Sequence, residues 1–236
     1  YLIASYKQLR NSFFNNSDVE KFLLFLLNFK DITAETDYHY ILLMVVECNP
    51  NAYKWYEKEI KKQIEIYNYK TQYDVVTYYG KIIYDRLQNR IYSQFSNDDF
   101  YYLYLYGNAL IHCDNSHNAC DILEIVYKNA DHNSLERYEA GVQLVNERYW
   151  NAHPDNIIED TWILQDGILQ ILQNNNKRYE KKRLLKIYSS CINRRMVTYL
   201  LLEEKDKAFQ TYRFRLKELI QTYGKDYKTY SATLLM

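Results

Sequence analysis

The chain runs to 236 residues with Lys+Arg 30 and Asp+Glu 30, a net charge of zero, so no global field draws it to nucleic acid or to a membrane surface. Only 5 Gly and 2 Pro occur, too few for the tight turns that an all-β fold of this length needs, while 27 Tyr provide rings that suit half-buried helix faces. The four cysteines, Cys48, Cys113, Cys120 and Cys191, are sparse and read as reduced thiols in a cytoplasmic setting rather than as a disulfide framework.

Taken in order, Leu2, Ile3, Tyr6, Leu9 and Phe13 recur at helical steps, and Asn15–Asn16 ends that face. Ser17 or Asp18 can cap a second helix holding the apolar run Phe22–Leu27, and a third runs from about Glu35 to Cys48, stopped by Pro50. Neither Phe22–Phe29 nor Ile41–Val46 reaches the roughly 20 apolar residues of a membrane span, so no membrane partner is expected. A fourth helix, about Ala52–Tyr67, sets Tyr53, Tyr56, Ile60, Ile64 and Tyr67 on one stripe with Lys54, Lys58, Lys61 and Lys62 around it. A fifth spans about Thr71–Tyr92. Ser96 then caps Asp98–His112, with Asp98 and Asp99 in the first turn.

After the joint Asp114–His117 come Ala119–Asn129, a second joint at Asp131–Ser134, and a helix from Leu135 to Asn151. Pro154 marks a boundary, and Asp155 can cap Ile157–Leu172. Beyond the loop Asn174–Asn176, Arg178–Glu203 is helical, either continuous or broken near Asn193. Lys207–Tyr223 follows, with Gly224 in the C-terminal cap position. No stretch alternates with a period of two, so the fold class is all-α. Short loops between long helices predict antiparallel pairs stacked as a solenoid in a single helical-repeat domain over residues 1–236. The chain opens at Tyr1 without an initiator Met, which leads us to expect a fragment of a longer protein.

Around Gly107 the spacing becomes specific. Leu103 lies four residues before it, Leu110 three after, Ala119 twelve after, and Leu123 a further turn on. The stretch Tyr102–Ala130 resembles a tetratricopeptide repeat, in which small residues let two helices approach and bulky ones fill the groove. Gly141 follows Gly107 by 34 residues (141 − 107), the period of that family, and Tyr199, Ala208 and Tyr212 form a fainter echo. The pattern's Trp is absent, Gly80 sits 27 residues before Gly107 (107 − 80), and no small residue follows Gly141 at the matching place. The resemblance implies a tetratricopeptide-like α-solenoid with one concave wall. Tyr101, Tyr104, Asn108 and His112 step along one face of its best helix and are the candidate binding residues for a protein or peptide.

Three other clusters hold residue types that can carry chemistry. His112, Cys113, His117 and Cys120 fall within nine residues, but Cys120 sits beside Ala119 on an inward face, so packing is expected and no metal or cofactor. Arg148 and His153 fit the loose R-φ-x-x-x-H pattern of HEPN-type ribonucleases, where Arg steadies the phosphate and His moves the proton. Arg178, Lys181, Lys182 and Lys186 form a basic stripe that could meet nucleic acid phosphates or simply face water. There is no phosphate loop, G-x-G-x-x-G, G-x-S-x-G or H-E-x-x-H. The expectation is a non-catalytic protein- or peptide-binding scaffold, the sensor region of a larger signalling, regulatory or defence protein, with other domains of the same chain among its partners. The alternatives are an RNA-binding or RNA-cleaving helical domain, and a structural subunit of an assembly.

Overall fold

A computed structural model describes Leu42 and residues 53–149, 152–174 and 178–223. The helices expected over residues 2–41 and 43–48 and the cap at Gly224 lie outside the described residues. The chain divides into two compact units, Tyr1–Tyr69 and Lys70–Met236. All regular structure among the described residues is helical.

In the first unit, α1 (Tyr53–Tyr69) is amphipathic as its stripe predicts. Ile60, Ile64 and Tyr67 are buried, Lys58 and Lys62 are exposed, and Lys61 pairs with Glu57 at 2.9 Å. Gln63 is buried on the same helix and satisfies its amide by donating to Glu59 at 2.8 Å.

The second unit holds α2 (Tyr73–Leu87), α3 (Asn97–His112), α4 (Ser116–Asn129), α5 (Leu135–Arg148), α6 (Pro154–Asn174), α7 (Arg178–Leu201) and α8 (Lys205–Tyr223). Each packs against the next, and α3 also packs on α5 and α5 on α7. The α5–α6–α7 core gathers Tyr138, Val145, Ile157, Leu164, Ile168, Leu184, Tyr188 and Ile192. Among the described residues no helix is long and apolar enough to cross a membrane.

The helix ends follow local chemistry. Ser96 begins α3 with a full capping box: its Oγ accepts from the Asp99 N–H at 3.1 Å, while Asp99 Oδ2 accepts from the Ser96 N–H at 2.8 Å. At the other end Asp114 takes φ 56°, and the N–H groups of Asn115 and Asp114 close on Leu110 O and Ile111 O. Glu203, φ 61°, ends α7 identically, with Glu204 bonded to Tyr199 O and Glu203 to Leu200 O. Both are Schellman motifs made without glycine.

Several boundaries differ from those expected. Helix α4 opens at Ser116 rather than Ala119, so Ser116 and His117 belong to the helix and not to the joint. Helix α7 ends at Leu201 rather than Glu203, and α8 opens at Lys205 rather than Lys207. Helix α2 stops at Leu87 rather than near Tyr92, because the buried stripe Val76, Tyr79, Ile83, Leu87 has no successor: Arg90, Ile91 and Tyr92 are exposed. A short 3-10 turn, Tyr92–Gln94, follows. Helix α5 ends at Arg148, three residues before Asn151. Pro154 opens α6 itself, as the first helical residue whose missing N–H costs nothing, so Asp155 lies inside the first turn instead of capping it. Helix α7 is continuous through Asn193.

The small residues act where two helices approach. A Cβ on Gly107 of α3 would lie 2.8 Å from Leu123 of α4, and one on Gly141 of α5 would collide with Leu164 of α6. Ala119 and Ala208 are buried, and Tyr212 is exposed.

Candidate functional site

The expected binding wall on α3 is only partly free to bind. Tyr104 is half-buried and hydrogen-bonds Glu139 of α5; burial, then the Glu139 charge, raises its hydroxyl pKa. Glu139 in turn accepts from Arg183 of α7 at 3.0 Å (Nε) and 2.6 Å (Nη2). Asn108 Oδ1 accepts from Gln143 of α5 at 3.3 Å. One turn further, Asn146 of α5 accepts from Arg194 of α7 at 3.0 Å (Nε) and 2.7 Å (Nη2), and that guanidinium lies 4.3 Å from the Tyr149 ring centroid. Polar side chains thus stitch α3 to α5 and α5 to α7. Tyr101 is half-buried with its ring edge-on to Tyr102, and His112 stacks on Tyr73 of α2 at 4.1 Å. Two of the four residues the sequence singled out are therefore internal struts.

An open groove lies instead between α2 and α4, with α3 as its floor and a volume of about 530 Å³. One wall carries Thr77, Tyr78, Lys81, Tyr84 and Asp85 of α2 with Gln88 just past its end, and the other Asn115, Asn118, Asp121 and Ile122; Tyr106 and Leu110 lie beneath. Gly80 makes the floor: a Cβ there would meet Tyr106 at 2.6 Å, so only glycine lets that ring lie against α2. Tyr84 meets Tyr106 at 6.0 Å between centroids, and burial followed by the Asp85 charge raises the Tyr106 pKa. Lys81 is tied to Asp85 at 2.8 Å, Asn118 donates to Asn115 at 3.0 Å, and Tyr78 is 63% exposed. The lining mixes rings, amides and charges over an apolar floor, a combination that holds a ligand by contact area and fixes it by a few hydrogen bonds.

The other clusters disperse. His112, Cys113 and His117 are exposed, and Cys120 bonds Arg148 instead of joining them. Among the described residues no group of three or more His, Cys, Asp or Glu could hold a metal ion. Arg148 pairs with Glu124 of α4 at 2.5 Å, whereas His153 lies past the end of α5, where its carbonyl accepts from Asn156 and Ile157 at the start of α6. The intervening residues 150 and 151 lie outside the described residues. Of the basic run, Lys182 and Lys186 are exposed, the side chains of Arg178 and Lys181 lie outside the described residues, and Arg183 and Arg194 are engaged within the fold.

The groove was not anticipated, although Tyr78, Lys81, Asp85 and Gln88 step by three and four along α2 and just past its end, beside Gly80. What the sequence hides is which helix flanks which: α2 and α4 are not neighbours in the chain, and both lie against α3. Compared with protein families, characterised proteins and solved structures, the chain shows no match.

Proposed function

We propose that this chain is a non-catalytic binding module for a protein or peptide segment, built as a tetratricopeptide-like stack of helix pairs. The groove between α2 and α4 carries this reading. At about 530 Å³ it takes a few residues of extended chain. Its amides Gln88, Asn115 and Asn118 offer both donors and acceptors to a peptide backbone, and Tyr78 and Tyr84 offer flat, low-entropy contact area. The groove's one lysine is already paired with Asp85, and the Thr77 hydroxyl donates to Asp74 O at 2.6 Å, so neither is poised as an activated nucleophile.

The stack reading rests on packing and register. Helices α3, α5 and α7 contact one another in succession, as first helices of consecutive repeats do. The contacts Tyr104–Glu139 and Asn108–Gln143 both join residues 35 apart (139 − 104, 143 − 108), close to the 34-residue step from Gly107 to Gly141.

A peptide library screened by fluorescence polarisation against the 236-residue chain is expected to yield ligands with Kd in the micromolar range. Tyr78→Ala and Asn118→Ala are each expected to weaken them about tenfold, equivalent to about 1.4 kcal/mol, with unchanged circular dichroism. A library with no micromolar ligand, or ligands indifferent to both substitutions, would sink the proposal.

A further inference from the structure

Arginine is almost never fully buried unless it is paired. Arg195 of α7 is completely buried. Its Nη2 donates to Gln165 Oε1 of α6, while Nε and Nη1 have no hydrogen-bond partner among the described residues. Two other arginines of the same helix show the contrast: Arg183 sets Nε and Nη2 on a carboxylate, and Arg194 sets the same pair of atoms on an amide oxygen. Asp166 acts on Arg195 only through its field. Burial lowers the guanidinium pKa to about 10, which leaves it cationic at neutral pH.

The group is also held in a fixed orientation. Gln165 is anchored by donating its Nε2 to the Tyr188 hydroxyl at 2.7 Å, so a relay Tyr188–Gln165–Arg195 sets the guanidinium plane. The Trp162 ring covers one face, its centroid 3.3 Å from the guanidinium carbon. Trp162 and its edge-on neighbour Phe214 of α8 are 41% and 43% exposed, so the roof over the cation consists of surface rings. With the flat face stacked, the remaining capacity lies in the plane, where N–H edges match a planar oxyanion in bidentate fashion.

We propose that Arg195 anchors a carboxylate-binding site, entered by displacement of the Trp162 indole. Its ligand carries the carboxylate on an apolar stem that packs on the Trp162 and Phe214 rings, with the exposed Ile163 next to Trp162 in sequence. The site is independent of the peptide groove, whose lining comes from α2 and the residue past its end, α3, α4 and the turn before α4.

The test follows the melting temperature of the 236-residue chain with sodium hexanoate, a capped Leu-Glu-Leu tripeptide or sodium phosphate, each against chloride at equal ionic strength. A saturable rise with hexanoate or with the tripeptide is expected at millimolar concentration. Whichever acts at the lower concentration identifies the carboxylate as a free acid or a protein side chain, and either supports the assignment. In a Trp55→Phe/Trp150→Phe chain, where Trp162 is the remaining indole, the same ligands are expected to shift its emission. Arg195→Met is expected to lose at least tenfold of the response. Should that variant not fold, Phe214→Ala removes part of the apolar platform and leaves Arg195 and Trp162 in place; it is expected to weaken the hexanoate response several-fold. Equal effects of carboxylate and chloride, a response to phosphate alone, an unchanged response in Arg195→Met, or an unchanged hexanoate response in Phe214→Ala would each overturn the assignment.

Discussion

Tyr104, Glu139 and Arg183 come from three different helices, and each depends on the other two. Burial pushes the Glu139 carboxyl above its usual 4.5, with Arg183 pulling it back. The folded state therefore holds that proton more tightly than the unfolded chain does. Its contribution to stability is full below the usual value and declines as pH rises through the raised one. Glu124 behaves oppositely: hydrogen bonds from Lys128 and Arg148 lower its pKa, so its contribution is present above 4.5 and lost as pH falls. Denaturant unfolding across pH is thus expected to be flatter above 4.5 in Glu139→Gln than in the parent, and to show less acid loss in Glu124→Gln. Tyr104→Phe removes a bond to a buried charge and is expected to cost about 1.5 kcal/mol. Gly107→Ala forces a methyl onto Leu123 and is expected to cost about 1–3 kcal/mol, read from the same unfolding curves.

Among the elements, ends made by side-chain chemistry were legible and ends made by exhaustion of a buried stripe were not. Ser96 with Asp99 announces α3 because the capping box is local. The end of α2 at Leu87 is not local: Ile91 and Tyr92 look apolar enough to continue the helix, but both are exposed, so they offer no buried face to extend it. The engagement of part of the candidate wall was hidden for the same reason. Tyr104 and Asn108 are correctly placed on one face, but nothing in the sequence says that Glu139 and Gln143 stand opposite and consume them. The joints carry their own prediction. Asp114 and Glu203 occupy the left-handed region, which disfavours L side chains by roughly 1–2 kcal/mol. Asp114→Gly and Glu203→Gly are each expected to raise unfolding stability by about 0.5–1 kcal/mol, after the greater chain entropy of glycine is allowed for.

At the scale of the whole molecule, the unit Lys70–Met236 has its own core, built from α5, α6 and α7. Residues 70–236 made alone are expected to give a helical spectrum and one cooperative unfolding transition; a broad, non-cooperative melt would show that this core is insufficient. The RNA-directed reading is tested on the intact chain. Lys182 and Lys186 are exposed, but Arg183 and Arg194 are engaged within the fold. A Lys182→Glu/Lys186→Glu variant and His153→Ala are therefore expected to leave both salt-titrated RNA binding and RNA turnover unchanged.

The two glycine contacts have a consequence for how such a chain changes in length. From Gly107 to the leucine it meets is 16 residues (123 − 107); from Gly141 to its leucine is 23 (164 − 141). The seven extra residues (23 − 16) are divided among the parts: two in the first helix beyond the glycine, two in the joint and three in the second helix before the leucine. A glycine keeps a leucine opposite it across the longer pair because both arms lengthen together with the joint. Contact between the two helices thus survives a change in spacing that no single sequence period would follow.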